Sequence, residues 1–200
     1  MKARKITLTI LAVAVAMIVT TAAAFACTGM YIGKDASAEG TVTIARSEDQ
    51  SVGAVPKRFM VRAAANKAGR VFVDTGTGFK VKLPKKTFKH TYVPDVSYGD
   101  GEYPGSCMNE YGVAIIGTVS TSVSKEYRAV DPCTDYNNGI REAIVPALVA
   151  CQSKTARQAC EVTAKLLDEY GAAERNTLLY ADKDEAWIFP YHVNNHALIT

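Results

Sequence analysis

Cys27 is the residue in this 200-residue chain best placed for covalent chemistry. It directly follows Ala24-Phe25-Ala26. Behind these residues lie an apolar run from Ile6 to Val19 and a basic start with Lys2, Arg4 and Lys5. A basic start, an apolar run and small residues before a cut point make an export signal, with cleavage expected between Ala26 and Cys27. Cleavage leaves Cys27 with a thiol and an α-amine on one residue. The thiol has a pKa of about 8.5 and the amine about 7.7–8.0. The amine is therefore a fit base for turning the thiol into a thiolate nucleophile, and no histidine is required. Two other fates stay open. An uncleaved signal would anchor the chain, because the stretch to Ala26 is about long enough to span a bilayer. Lipidation of Cys27 would make a non-catalytic surface lipoprotein, although Phe25 suits such a site poorly.

The next candidates are Arg46 and Asp49, three residues apart. If residues 27–33 and 41–46 form a hairpin about Ser37, Thr28 faces Arg46 and Cys27 faces Ser47. Facing side chains lie about 5 Å apart, so Arg46 would stand beside the thiol. A guanidinium there favours the thiolate and can stabilise an oxyanion. Asp49 at the strand exit would hold the α-ammonium, and Glu48 reads as solvated. Asn109, in Asn109-Glu110-Tyr111-Gly112, is a turn former by type and a possible oxyanion donor. His90, His192 and His196 offer a conventional Cys/His pairing. His90 sits in a basic loop and the others lie near the chain end, so they are minor candidates.

The remaining cysteines are Cys107, Cys133, Cys151 and Cys160. After export they would either pair in two bridges or serve as small buried apolar residues, leaving Cys27 as the odd thiol. No CxxC spacing points to a metal, and no motif points to a cofactor. The chain has 23 Lys+Arg and 20 Asp+Glu. Three of the basic residues belong to the signal, so the rest is balanced. No basic stripe marks a nucleic-acid partner. A membrane enters only through an uncleaved signal or lipidation.

The elements that must position these residues read as α+β. Strands are expected at 27–33, 41–46, 58–65 and 71–74, and a buried one at 113–119. The stretch "DTGTGFKVKLPKKTFKH" reads as a solvated loop or edge strand, and 93–106 as a surface loop. Helical spacing runs from Ile140 to Cys151, with Pro146 as a kink or restart. A second helix follows the capping box Thr155-Ala-Arg-Gln158 and ends at Gly171. A hairpin around "DKD" joins 177–181 to 185–189, and Tyr180 and Trp187 read as packing residues.

"CTGMYIGKDASAEGTVTIARSEDQ" resembles the start of the N-terminal-cysteine dipeptidases. These are N-terminal nucleophile hydrolases related to penicillin V acylase, bile salt hydrolase and acid ceramidase. "MNEYGVAIIGTVSTS" and "AERNTLLYADKDEAW" resemble the same family. The resemblance implies an αββα sandwich and a dipeptide substrate. It also implies Cys27 as nucleophile, its own amine as base, and Arg46 and Asp49 as the supporting pair. In the wider branch an asparagine about ten residues after the turn helps form the oxyanion hole. Val119-Ser120 stands there, leaving a backbone N–H or Asn109 to substitute. Related acylases suggest larger amides as an alternative substrate. The resemblance ends at about Trp187, and family members are longer. The chain thus divides into a signal at 1–26, a dipeptidase-like part at 27–189 and a divergent tail at 190–200. The whole reads as a truncated, C-terminally incomplete copy, active or an inactive remnant.

Overall fold

A computed structural model of the chain describes residues 27–49, 55–96, 101–119 and 121–191. The expected signal, His192, His196, Ser120 and most of the expected tail lie outside the described residues. The first hairpin joins β1 (Gly29–Ile32) to β2 (Thr43–Arg46). A short 3-10 turn, Lys34–Ala36, lies in its connection.

A long ribbon follows. Its outgoing arm holds β3 (Met60–Arg62), β4 (Ala65–Asn66) and β5 (Val71–Val73). Its returning arm holds β6 (Lys80–Lys82), β7 (Lys86–Thr87) and β8 (His90–Tyr92). Antiparallel pairing runs Met60↔Tyr92, Ala65↔Thr87 and Val71↔Lys82 along the ribbon. The stretch read as a loop or edge strand is therefore the ribbon's tip and returning arm. Its alternation buries Val81, Phe88 and His90 and leaves Lys80 and Lys82 exposed.

The main sheet adds β9 (Ser106–Asn109), β10 (Ala114–Thr118), β11 (Asn176–Ala181) and β12 (Ala186–Tyr191). Its order is β12-β11-β10-β9-β8-β3, antiparallel throughout. Three helices intervene before β11: α1 (Lys125–Val130), α2 (Val145–Ala150) and α3 (Ala156–Tyr170). Pro146 lies in the first turn of α2. There its missing N–H costs nothing, so it starts the helix rather than kinking it. Thr155 caps α3 by accepting from Gln158 N, and Gly171 ends it at φ 73°.

α2 packs on β8, β9 and β10, and α3 packs on β11 and β12. Ile115, Leu178, Tyr180 and Phe189 meet Ile144, Leu148 and Leu167 in this core. The opposite face of β10 and β11 carries the β1–β2 hairpin. Gly29 makes that contact close, since a Cβ there would lie 2.9 Å from Leu179 Cδ1. Hairpin, sheet and helices thus form three layers around two faces of one sheet.

Candidate active site

Cys27 and Arg46 meet on the sheet-facing side of the first hairpin. The observed register pairs Gly29 with Arg46 and Ile32 with Thr43. This differs by one residue from the expected pairing of Thr28 with Arg46. The connection Gly33–Val42 has an even number of residues, so no single residue lies at its centre. A one-residue shift moves side chains to the other face. Here the shift puts Arg46 on the same face as Cys27, diagonally across the empty side of Gly29. Arg46 Nη2 lies 3.6 Å from Cys27 Sγ. Ser47 N donates to Thr28 O at 2.9 Å, holding the hairpin closed up to Cys27.

The Arg46 side chain is only 8% exposed. Nη1 donates to Gly105 O at 2.8 Å and to Glu142 Oε1 at 3.3 Å. Nη2 also pairs with Glu48 Oε2 at 3.2 Å. Glu48 in turn meets Lys57 at 2.7 Å, and Lys57 bonds the buried Asp95. The expectation that Glu48 is solvated is corrected: the register sets it level with Cys27, and Arg46 and Lys57 hold it half-buried. Asp49 is exposed at the strand exit, three residues past Arg46.

Glu142 is buried and lies against Gly117, where a Cβ would sit 3.0 Å from Glu142 Cγ. Tyr103 OH donates to Glu142 Oε2, and Glu142 N donates to Glu174 Oε2 at 2.8 Å. Burial raises the Glu142 carboxyl above the usual carboxylate range, with Arg46 and Tyr103 pulling it back. Burial, then the charge of Glu142, raises the Tyr103 phenol, so Tyr103 stays a protonated donor. The sequence reading missed Glu142, Tyr103 and Gly105. The legible signal was Arg141-Glu142, two charges inside an otherwise apolar helical spacing.

Asn109 is built into the fold. Its Nδ2 donates to Ala150 O at 2.8 Å and Ser153 O at 2.7 Å. Its Oδ1 accepts from Tyr111 N and Val113 N. Both amide hydrogens are engaged, so Asn109 has none for an oxyanion; its turn-forming role stands and the donor role falls. His90 is also not in a loop: it lies buried on β8, with Nδ1 at 3.1 Å from Phe88 O. Burial lowers its pKa. All five cysteines are free. Burial pushes the Cys151 and Cys160 thiols up to about 12 and Cys107 higher still, which fits the apolar reading. Among the described residues, no group of three or more His, Cys, Asp or Glu is arranged to hold a metal. No described helix is long and apolar enough to cross a membrane.

The sequence matches the model for peptidase family C69 over residues 26–196. The match runs through β12, past Trp187, where the resemblance was expected to end. A probable dipeptidase B of Streptococcus pyogenes serotype M3 is 37% identical over 82% of this chain and 32% of its own. A probable dipeptidase of Latilactobacillus sakei is 32% identical over 81% of this chain and 34% of its own. A dipeptidase of Bifidobacterium longum is 30% identical over 81% and 32%. The chain therefore spans about a third of the length of these relatives. A cysteine-to-alanine mutant of conjugated bile acid hydrolase from Clostridium perfringens superposes with a TM-score of 0.50 at 11% identity. That match covers 87% of this chain and 50% of the other. It identifies the α+β architecture as the N-terminal nucleophile hydrolase fold.

Proposed function

Because the chain belongs to peptidase family C69, we propose that it is an exported cysteine dipeptidase acting through Cys27. The observation that carries this reading is the 3.6 Å approach of Arg46 Nη2 to Cys27 Sγ on one hairpin face. Removal of residues 1–26 frees the α-amine of Cys27. That amine takes the thiol proton, and the thiolate attacks the scissile carbonyl. The amine's proton passes to the departing amino acid as the C–N bond breaks, leaving a thioester. Water then gives its proton to the amine, attacks the thioester and regenerates the thiol. Arg46 and backbone N–H groups are the proposed oxyanion donors, since Asn109 is occupied. Asp49 and Glu48 supply carboxylates at the strand exit to pair with the α-ammonium.

The sequence relatives are named as dipeptidases, which favours dipeptides over the larger amides of the structural match. The test is hydrolysis of a dipeptide panel by the exported protein, beside penicillin V and glycine-conjugated bile acids. Cys27→Ala is expected to lower dipeptide turnover at least a thousandfold. Undiminished turnover would end this reading. Intact mass must also show an unmodified chain beginning at Cys27; an added diacylglycerol would favour the lipoprotein instead.

A further inference from the structure

We propose that Glu142 is the positioning residue that aims the Arg46 guanidinium at Cys27. This rests on the reading of Cys27 as nucleophile and adds a residue which that reading does not require. A guanidinium is a planar fork, so fixing one arm sets the direction of the other. Here Nη1 is the fixed arm, tied to Glu142 Oε1 and Gly105 O. Nη2 is the arm that faces Sγ.

The Glu142 carboxylate is itself immobile. Its side chain is 1% exposed. Tyr103 holds its second oxygen, and Glu174 holds its backbone N–H. Gly117 gives it room that any side chain would take away. Glu48 cannot perform this task. It is more exposed, shares its charge with Lys57, and touches Nη2, the same nitrogen that faces the thiol. It therefore competes for the working arm, whereas Glu142 secures the other one. A buried carboxylate is costly unless its partner repays the desolvation. Arg46 is the ion-pair partner seen for Glu142, and Tyr103, Glu174 and Glu48 are the other titratable groups facing it.

The test follows iodoacetamide alkylation of Cys27 between pH 6 and 10 in the chain beginning at Cys27. Mass spectrometry of the Cys27 peptide separates it from half-buried Cys133. Arg46→Ala should slow alkylation at pH 7 by about tenfold relative to pH 10, because the guanidinium that favours the thiolate is gone. Glu142→Ala should do the same, and the double variant should add nothing further. Glu142→Gln, which keeps an acceptor for Nη1, should restore most of the rate. A Glu142→Ala profile equal to wild type, or faster at pH 7, overturns the proposal. So do additive effects in the double variant, or no effect from Arg46→Ala. If Glu142→Ala fails to fold by circular dichroism, Tyr103→Phe must slow alkylation in the same direction, and no change overturns the proposal. Wild-type protein that hydrolyses no dipeptide but keeps this alkylation pattern sinks the dipeptidase reading and leaves the role of Glu142 standing.

Discussion

At the scale of single residues, the side chains that could react differ from those that build the fold chiefly by what already holds them. Asn109 and Arg46 are both polar and largely buried. All four hydrogen-bonding positions of the Asn109 amide are engaged by backbone groups of the turn, of the last residue of α2 and of the segment after it. Arg46 is tied on one side and faces Cys27 on the other. Asn109→Ala should therefore cost about 3 kcal/mol of stability, because it orphans several buried backbone groups at once. Urea unfolding measures that loss, while turnover per folded molecule is expected to hold. A variant of native stability with lost turnover would instead return Asn109 to the chemistry. Asn109 shows why residue type was an incomplete guide. Its turn chemistry was legible in the sequence, but its two long-range partners, Ala150 O and Ser153 O, could not be read there.

At the scale of elements, position is set by register and by close backbone approach. The alternation of 41–46 marked a strand, and the apolar run 113–119 marked a buried one. Both are present as β2 and β10. The sequence did not disclose that the hairpin register is offset by one. Nor did it disclose that the loop before β9 enters the site. Gly105 in that loop has a direct consequence. A Cβ there would stand 2.2 Å from Arg46 Nη1 and 2.7 Å from its Cζ. Gly105→Ala should displace the guanidinium and reduce dipeptide kcat/KM by about a hundredfold, about 2.7 kcal/mol in transition-state terms. Circular dichroism is expected to stay native, since the substitution keeps the Gly105 carbonyl that accepts from Gly117 N of β10. Full activity in Gly105→Ala would show that this placement of Arg46 is not needed.

At the scale of the whole molecule, consecutive residues tie distant parts together. Arg141 reaches Asp74 at the ribbon tip with two bonds of 2.7 Å, and both side chains are buried. Glu142, next in sequence, reaches Arg46 in the hairpin layer. Residues 57–92 hold ten basic side chains and a single acid, Asp74. The ribbon's only carboxylate is thus the one that docks it. Burial acts to raise the Asp74 carboxyl, but the bonds from Arg141, Gly76 and Thr77 outweigh it and hold it below the usual range. A depressed folded-state pKa contributes stability that is fully present above the unfolded value of about 3.9. That contribution is lost as pH falls through the folded one. Urea midpoints measured from pH 5 to pH 2 should therefore fall steeply for the wild type. Asp74→Asn should start about 3 kcal/mol lower, with Arg141 left uncompensated, and fall less steeply. Parallel curves would remove Asp74 from the acid response.

Among the described residues, Cys27 sits where a lone pair of strands rests on one face of the sheet and the helices pack on the other. A two-stranded ribbon is marginal without the surface it rests on, so this one is expected to loosen from the sheet before the sheet itself unfolds on warming. Loss of catalysis on heating would then run ahead of denaturation, and cooling before the sheet gives way would bring the catalyst back.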